Sequence, residues 1–430
     1  MVRPSIKRLA RWGFPTLLLI VLWQIWDGHE ARLLKAETDR VRSGERQPDF
    51  GNYAEPSAGR YYVAAGALIL STTTYPSHPA PLPASINELL PEMRDAIATG
   101  AALSEPLRAA SRAVLERNED AFRLIDRAAT IAAFAYPSEQ PISLGNVESG
   151  YSVATLDAIA SDKLDAAADG MISRVQIVRV LDARPGSINA LLRRSIFGNV
   201  VQDLGLLLGR GPVSHSRRDR IDSLLAEHDT ENDLERTIRG DSVGVTRYAA
   251  RIGNLGGDGF SLWRPVWRHQ YAAILRVAQD CFVAAAKPWP EPLSAMEQVR
   301  GEEGSRLFRS IPTPAMMADG CRRMTRVLAQ SAALIRSARV ALAVDSYRTE
   351  HSRLPDALSD LPTVTGGGFA DPFTGRPLVY RRREDGFSVY SLGENGKDDG
   401  GAVIPRPRVS GEAMRPSADV GITVTMRTPR

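Results

Sequence analysis

The sequence has few of the side chains that most metal and nucleophilic sites need. Its 430 residues include two cysteines and six histidines. Neither Cys281 nor Cys321 lies in a CxxC pair or beside histidines at metal-ligand spacing, and this argues against the common zinc motifs. The histidines are scattered and no HExxH pattern occurs. A zinc enzyme or a zinc-finger protein is therefore not expected.

The chain also lacks a strong charge of one sign. It has 54 basic and 50 acidic residues, and this near balance gives no large field to steer a nucleic acid. The densest basic cluster away from the N-terminus is Arg381 to Arg383, and Glu384 and Asp385 follow it at once. We interpret that cluster as a solvated strand end, and we expect no nucleic-acid partner.

Length and composition indicate a folded chain of more than one domain. A 430-residue chain suggests two or three domains. Its 43% hydrophobic and 24% charged residues are typical of a chain that buries a normal core. We expect a mainly α protein with four parts: an anchor at 1–28, a juxtamembrane helix and linker at 29–59, a helical body at 60–317, and an α+β domain at 318–430.

The N-terminal segment predicts a single membrane-spanning helix. Basic residues come first, no acidic residue precedes Asp27, and an apolar run from Gly13 to Trp26 follows them. Cationic side chains stay in the cytoplasm while apolar ones enter the bilayer, and tryptophans such as Trp23 and Trp26 suit the far interface. We therefore expect a single-pass protein of the bacterial inner membrane, with a cytoplasmic N-terminus and a periplasmic bulk. The basic residues are Arg3, Lys7, Arg8 and Arg11.

Two other interpretations of this segment stay open. The apolar run is short against the roughly 20 residues of a full span, so a cleaved signal peptide is one alternative. The segment is also similar to pilin-type precursors, in which a glycine and often a phenylalanine directly precede the apolar helix, as Gly13 and Phe14 do. The glutamate that most of those proteins carry soon afterwards is Leu18 here, and Pro15 departs from the pattern. A minor pseudopilin processed after Gly13 is the second alternative.

The middle of the chain reads as a succession of helices. Apolar residues three and four apart run through Leu107 to Phe134, Thr155 to Leu181 and Ile188 to Leu208. Ser187 and Ser214 follow Pro/Gly breaks and are predicted N-caps. Trp263, Trp267 and Tyr271 follow helical spacing, which favours core packing over a ligand site.

One catalytic motif occurs in this helical region. Gly240-Asp-Ser242-Val-Gly244 matches GxSxG, the nucleophile elbow of α/β-hydrolases, in which a strand feeds a sharp turn that exposes the serine. The segment before it is helical in character, and His269 is the nearest downstream base without a supporting pattern. We predict a helix–turn–helix junction here, and a serine hydrolase acting through Ser242 is the runner-up function.

The last quarter of the chain predicts a long helix followed by short strands. A helix is expected from Ala318 to Glu350, then a hairpin of Leu378–Arg382 and Phe387–Leu392, then a strand at Val420–Met426. Three motifs in order resemble the major pseudopilins of type II secretion. They are Tyr347 eight residues before Pro355, Asp371-Pro-Phe-Thr-Gly-Arg-Pro-Leu-Val-Tyr380, and Tyr390-Ser-Leu-Gly followed by an acidic glycine-rich loop.

The resemblance implies a small pseudopilin-like α+β domain and a calcium ion in that loop. Acidic side chains and free carbonyls would supply the oxygens that a hard cation needs. Asn395 replaces the usual aspartate, and the insertion at 402–417 is longer than in the family, so a solvated acidic turn without metal is the alternative. The ligands implied by position are the Leu392 carbonyl, Asn395, Asp398, Asp399 and Asp419.

The whole arrangement is also similar to a group of bacterial membrane-anchored proteins that pair an N-terminal anchor and a helical body with this ending. We therefore expect a non-enzymatic envelope protein that binds other envelope proteins, related to type II secretion or pilus-like assemblies.

Outside the cytoplasm, a bridge between Cys281 and Cys321 is permitted. The alternative is two buried free thiols on separate helices.

Overall fold

The protein is mainly helical and carries one small antiparallel sheet of three strands. The computed structural model describes residues 6–43, 58–68, 85–131, 144–183, 185–229, 232–254, 264–302, 313–361, 369–401 and 419–426. The expected mainly α class and the small antiparallel sheet are confirmed within these ranges. The predicted polar linker after residue 43 and Trp263 lie outside the described residues.

The helices are numbered here in chain order. They are α1 Ile6–Ser43, α2 Ala58–Leu68, α3 Ile86–Thr99, α4 Glu105–Arg117, α5 Glu119–Ala129, α6 Leu144–Ala160, α7 Leu164–Asp182, α8 Ser187–Arg210, α9 His215–Glu227, α10 Asp233–Asn254, α11 Arg264–Ala285, α12 Glu291–Gln298 and α13 Pro314–His351. A 3-10 turn at Leu358–Asp360 follows α13. The strands are β1 Val379–Arg383, β2 Gly386–Ser391 and β3 Val420–Thr425.

Local sequence explains several helix ends. The Thr313 hydroxyl accepts a hydrogen bond from the Met316 N–H at 3.1 Å, and Pro314 opens α13 in the first helical turn. Gly100 ends α3 in the left-handed conformation, which glycine adopts without a steric cost. The stretch predicted as one helix from Thr155 to Leu181 is two helices, because the chain turns at Asp162 with a positive φ of 56°.

The sheet has the strand order β1-β2-β3, and both pairs are antiparallel. Val379 pairs with Tyr390 in the first ladder, and Tyr390 pairs with Gly421 in the second. The β1–β2 pair is the predicted hairpin, with β1 one residue later and β2 one residue earlier than predicted. Strand β3 begins at the predicted residue. All six residues of β2 are buried, as expected for a central strand with a helix packed on the sheet.

Two hydrophobic cores share the helices α8 and α13. The anchor-side core consists of the second half of α1, Ala190 of α8, α10, α11 and α12, with Ala318 to Leu328 of α13. The sheet-side core consists of α2 to α9, β2 and β3, with Leu334 to Tyr347 of α13. Helix α13 has 38 residues and is therefore about 57 Å long at 1.5 Å per residue. It is long enough to run through both cores.

The sheet packs directly on α8, through two glycines of that helix. A Cβ built on Gly205 would lie 2.5 Å from the Thr423 carbonyl oxygen, and one on Gly209 would meet the Thr425 carbonyl even more closely. Glycine at both positions lets the β3 backbone approach the helix. Packing between α8 and β3 thus crosses residue 318, and the predicted domain bounds 60–317 and 318–430 stay predictions.

This close approach makes a prediction about stability. Gly205→Ala should lower the free energy of unfolding by about 2 kcal/mol, because the added methyl group overpacks against the β3 backbone. Urea unfolding of the full-length chain, followed by circular dichroism, measures it.

Gly198→Ala on the same helix is the matched control. Nothing lies within 4 Å of its Cβ position, so the alanine should raise the free energy of unfolding by about 0.5 kcal/mol through helix propensity. Equal effects of the two substitutions would contradict the packing of β3 on α8.

Candidate functional site

Where its side chains are described, from Leu18 onward, helix α1 has two parts with opposite surroundings. Leu18, Leu19, Ile20, Val21 and Leu22 are all exposed, with Leu19 at 66%. Five consecutive residues cover more than one full helical turn, so this part of α1 presents apolar side chains on every side. Helices that are apolar all round occur in protein cores or in membranes.

The exposed half ends at Asp27, which is buried at 7% exposure. Its carboxylate contacts Arg264 Nη2 at 2.7 Å and Arg268 Nη1 at 2.8 Å, at the start of α11. Arg268 Nη1 also donates to the Asp27 carbonyl at 3.0 Å, and the Arg264 guanidinium lies 5.1 Å from the Trp23 ring centre. We call Asp27, Arg264 and Arg268 the Asp27 clamp.

Beyond the Asp27 clamp, α1 is an integral part of the fold. Glu30 contacts His269 at 3.3 Å, and Glu37 accepts a hydrogen bond from Gln279 Nε2 at 3.1 Å. The residue numbers of these contacting pairs rise together along both helices, so α1 and α11 run parallel. Leu34 and Val41 of α1 are buried in the anchor-side core. The predicted anchor and juxtamembrane helix are therefore one continuous helix.

A different helix has the length and apolar composition of a membrane span. Among the described residues, α13 alone has that length and composition, and 78% of its apolar 18-residue stretch is buried inside the protein. Such burial is typical of the core helix of a soluble domain, and α13 occupies both cores. The described part of α1 does not have the length and apolar composition of a span, so membrane spanning by α1 stays a prediction.

The prediction of a turn at the GxSxG sequence is wrong. Gly240 to Gly244 lies inside the continuous helix α10. Ser242 is fully buried, and its hydroxyl donates to the Ile238 carbonyl at 2.8 Å, as serines in helix interiors often do. His269 contacts Glu30 on α1. The strand–turn–helix context and the exposed serine of a nucleophile elbow are absent from this described segment.

Packing explains the same sequence. A Cβ on Gly240 would collide with the Pro185 carbonyl oxygen, so α10 passes against the chain that leads into α8. Asp241 accepts a hydrogen bond from the Ser187 N–H at 2.9 Å and another from the Ser187 hydroxyl. Asp241 thus caps α8 from another helix, and Ser187, predicted as the cap itself, is the first residue of α8.

The motifs that carry the pseudopilin resemblance meet in space. Asp371 is buried, and its carboxylate accepts hydrogen bonds from the Ser391 hydroxyl at 2.6 Å and the Leu392 N–H at 3.1 Å. The Tyr380 hydroxyl donates to the Pro355 carbonyl at 3.0 Å. Each motif thus stabilises the next, and together they hold the turn before β1 against the end of β2.

In the predicted calcium loop, Asp398 is bound by the protein itself. Its Oδ1 accepts hydrogen bonds from the Tyr390 hydroxyl and the Gly400 N–H, both at 2.9 Å. Its Oδ2 accepts from Arg381 Nη2 at 2.9 Å. The hydrogen bonds from Gly400 and Tyr390 hold the pKa of Asp398 below its usual value.

The other acidic groups of the loop have similar partners. Asp419 is buried and accepts hydrogen bonds from the Gly401 N–H at 2.7 Å and the Asp399 N–H at 3.4 Å. The Asn395 amide oxygen accepts from the Lys397 N–H at 2.9 Å, and its Nδ2 donates to the Asp399 carboxylate at 3.1 Å. Burial raises the pKa of Asp419 above its usual value.

These placements do not fit a calcium ion, which takes six to eight oxygen ligands. Across the described part of the chain, no three His, Cys, Asp or Glu side chains form a group that could hold a metal. The side-chain oxygens of Asn395, Asp398 and Asp419 already accept N–H, O–H or guanidinium donors. The loop is organised by its own hydrogen bonds. Calcium binding through Leu392, Asn395, Asp398, Asp399 and Asp419 stays a prediction that this geometry does not support.

A buried charge network that sequence reasoning missed lies in the sheet-side core. Asp203 of α8 has no exposed surface and contacts Arg94 Nε at 2.6 Å and Arg174 Nη1 at 2.8 Å. Arg174 also contacts Glu148 at 2.6 Å, and the Ser152 hydroxyl donates to Asp203 at 2.8 Å. We call these five residues the Asp203 network. It joins α3, α6, α7 and α8, and its two arginines balance its two carboxylates.

Two clefts in the described part meet at Arg193 and Asp233, near the ends of α7, α8 and α9, and both are too small for a metabolite. Each has room for about 10 Å³, close to one water molecule. Small-molecule sites are usually about 300–1,000 Å³. These clefts therefore offer no site for a small-molecule substrate.

Comparisons with known proteins add no identification. No protein-family model, no curated protein and no solved structure matches this chain. The pseudopilin resemblance therefore rests on the quoted motifs alone.

The Asp203 network predicts a large and pH-dependent effect. Asp203→Asn should lower the free energy of unfolding by about 3–5 kcal/mol, because the buried Arg94 loses its counter-charge and the buried Arg174 keeps only Glu148. Burial alone would raise the pKa of Asp203, but Arg94 and Arg174 outweigh burial and hold it below its usual value. The stabilisation is therefore complete above the unfolded pKa of about 4 and is lost as pH falls through the folded pKa. Urea midpoints of both chains across acidic pH measure it.

Glu105→Gln is the matched control, because Glu105 contacts Arg112 at 2.8 Å on the exposed surface. That substitution should cost less than about 1 kcal/mol. A stability difference between the wild-type and Asp203→Asn chains that stays constant through acidic pH would contradict the assigned role of the carboxylate.

The acidic loop predicts no response to calcium. The melting temperature of the full-length protein should be the same in millimolar calcium and in chelator, because the side-chain oxygens of Asn395, Asp398 and Asp419 already have donors. A native-state site filled at one hundred times its Kd would add about 2.7 kcal/mol to stability, which is readily measured. A rise in melting temperature with calcium that disappears in Asp419→Asn would overturn this expectation.

Proposed function

We propose that this chain is a membrane-anchored envelope protein that acts by binding other proteins and not by catalysis. The observation that carries the proposal is the split character of α1. Its first described side chains are apolar and exposed on every side, and from Asp27 onward it is locked into the folded body. A lipid bilayer is the environment that suits the first half.

Transfer energies support this placement. Full burial of a leucine or isoleucine side chain contributes about 1.5–3 kcal/mol. Leu18 to Leu22 and Ile25 are between 38% and 66% exposed, so their partial burial in lipid favours the membrane by roughly 5 kcal/mol or more. The basic flank before residue 13 keeps the N-terminus on the cytoplasmic side. In this topology the body lies in the periplasm of a bacterial cell.

The interaction role is supported by what the described body offers. The two clefts at Arg193 and Asp233 have room for about one water each, and the GxSxG sequence lies inside a helix. The long α13 followed by the antiparallel β1–β2–β3 sheet has the order of elements that the pseudopilin resemblance implies. We therefore place the protein among components of secretion or pilus-like assemblies, with other envelope proteins as partners.

This proposal predicts the behaviour of the full chain in cells. The wild-type protein should stay in the membrane pellet after alkaline carbonate, and alkaline phosphatase fused after Arg430 should be active. Leu19→Lys with Leu22→Lys should release the chain, because two charges enter the apolar stretch. Immunoblotting of pellet and supernatant measures the release.

Leu68→Lys is the matched control, since Leu68 is 50% exposed on α2, away from α1. That variant should remain in the pellet. An inactive reporter, or a wild-type chain that carbonate releases, would contradict the anchored topology. N-terminal sequencing of the mature protein tests the pseudopilin alternative, because a chain that begins at Phe14 would favour processing after Gly13.

A further inference from the structure

The Asp27 clamp holds more positive than negative charge. One carboxylate, that of Asp27, faces the two guanidiniums of Arg264 and Arg268. Arg264 directs Nε and Nη2 to that carboxylate, at 3.1 and 2.7 Å. Arg268 directs Nη1 to the carboxylate and the carbonyl of Asp27, at 2.8 and 3.0 Å. The next acidic residue of α1, Glu30, contacts His269. Among the described residues, the clamp therefore carries one positive charge that no carboxylate compensates.

Part of each guanidinium is open to a further partner. Across the part of the chain that the structure describes, Arg264 Nη1 and Arg268 Nε and Nη2 have no hydrogen bond. None of the three is a fully buried nitrogen, and the two side chains keep 23% and 13% of their surface exposed. Neighbouring guanidiniums with open N–H donors are well suited to bind a phosphate, because their planar forks match its oxygens.

The Asp27 clamp lies at the level of the lipid headgroups in the proposed topology. Trp26 is 43% exposed and directly precedes Asp27, and the Arg264 guanidinium lies 5.1 Å from the Trp23 ring centre. Tryptophans prefer the bilayer interface, and one residue of helix advances only about 1.5 Å. The headgroup layer is about 5–7 Å thick on each side of the hydrocarbon core. Arg264 therefore lies in that layer, and Arg268, one turn further along α11, lies at its outer edge.

We propose that the Asp27 clamp binds the phosphate of an anionic phospholipid through Arg264 and Arg268. The inference rests on the proposed function, because an anchored α1 is what brings the clamp to the headgroups. A zwitterionic lipid carries its own cation beside the phosphate, whereas the net charge of a lipid such as phosphatidylglycerol complements the extra guanidinium. One cation at a membrane surface gives a preference of about fivefold for an anionic lipid.

A lipid bound here would act where the anchor meets the body. Its phosphate contacts α11, while the apolar side chains of α1 lie among the acyl chains. Two helices instead of one would then hold the body against the bilayer. Because α1 and α11 are joined by the Asp27 carboxylate itself, the lipid and the anchor would share one contact point.

The test counts the lipids that stay on the full-length protein. The chain is reconstituted into bilayers with equal amounts of phosphatidylglycerol and phosphatidylcholine, extracted in mild detergent, and weighed by native mass spectrometry. We expect about fivefold more retained phosphatidylglycerol than phosphatidylcholine. Arg268→Gln should reduce this ratio to about one, because Arg264 then balances Asp27. The bidentate contact of Arg264 with Asp27 stays in this variant, so α1 and α11 should remain paired.

Arg276→Gln is the matched control. Arg276 lies on the same helix and faces a carboxylate of α1, that of Glu37, at 3.9 Å, with 52% of its side chain exposed. It comes twelve residues after Arg264 and thus about 18 Å further from the bilayer. Its loss removes the same charge and should leave the lipid ratio unchanged. Arg268→Lys keeps the charge and should keep most of the preference.

Equal retention of the two lipids by the wild-type chain would overturn the lipid site. So would equal losses in Arg268→Gln and Arg276→Gln, or a loss of the preference in Arg268→Lys. Displacement of the lipid by millimolar inorganic phosphate would indicate a site for free phosphate instead. The carbonate and reporter experiments separate this failure from that of the proposed function. A chain that stays in the pellet with an active reporter but retains both lipids equally would refute the lipid site alone, whereas a chain that carbonate releases would refute both.

Discussion

The fold depends on a carboxylate that has no access to water. Asp203 lies in the middle of α8 and takes a guanidinium from α3, a guanidinium from α7 and a hydroxyl from α6. An ionised group without exposure is tolerated only where its partners are fixed, so these contacts determine both the position and the rotation of α8. Gly205 follows within one turn and receives the β3 backbone. The placement of the sheet is thus a consequence of a charge pairing on the opposite side of the same helix.

Local patterns predicted the elements that local forces determine. Helix α13 and the three strands were expected within a few residues of their bounds, because periodicity, proline and glycine mark them in the sequence. The Asp203 network was missed for a physical reason. Arg94 lies 109 residues from Asp203, and Arg174 lies 29 residues from it. Charged residues inside a helical pattern look solvated unless their distant partners are known.

Motifs gave weaker guidance than periodicity, since one residue type can serve packing or chemistry. Gly240 of the GxSxG sequence lets α10 pass close to the Pro185 backbone, and Asp241 caps α8. Both are packing roles and neither involves catalysis. The acidic loop shows the same ambiguity. Asp398 sits between a guanidinium, a phenol and a backbone N–H, so its charge is already compensated within the protein. Spacing alone cannot distinguish a carboxylate that awaits a cation from one that organises its own turn.

The continuity of α1 has a mechanical consequence in the proposed topology. A helix that leaves the bilayer near Trp26 and enters the Asp27 clamp at the next residue has no linker in which to bend. Leu34 and Val41 then bury the same helix in the anchor-side core, so the body's orientation is set by the direction of α1. The start of α11 is held close to the headgroups, and α13 carries that constraint to the sheet. In that topology a partner would approach a body held near the membrane, as in the proposed assembly on the membrane surface.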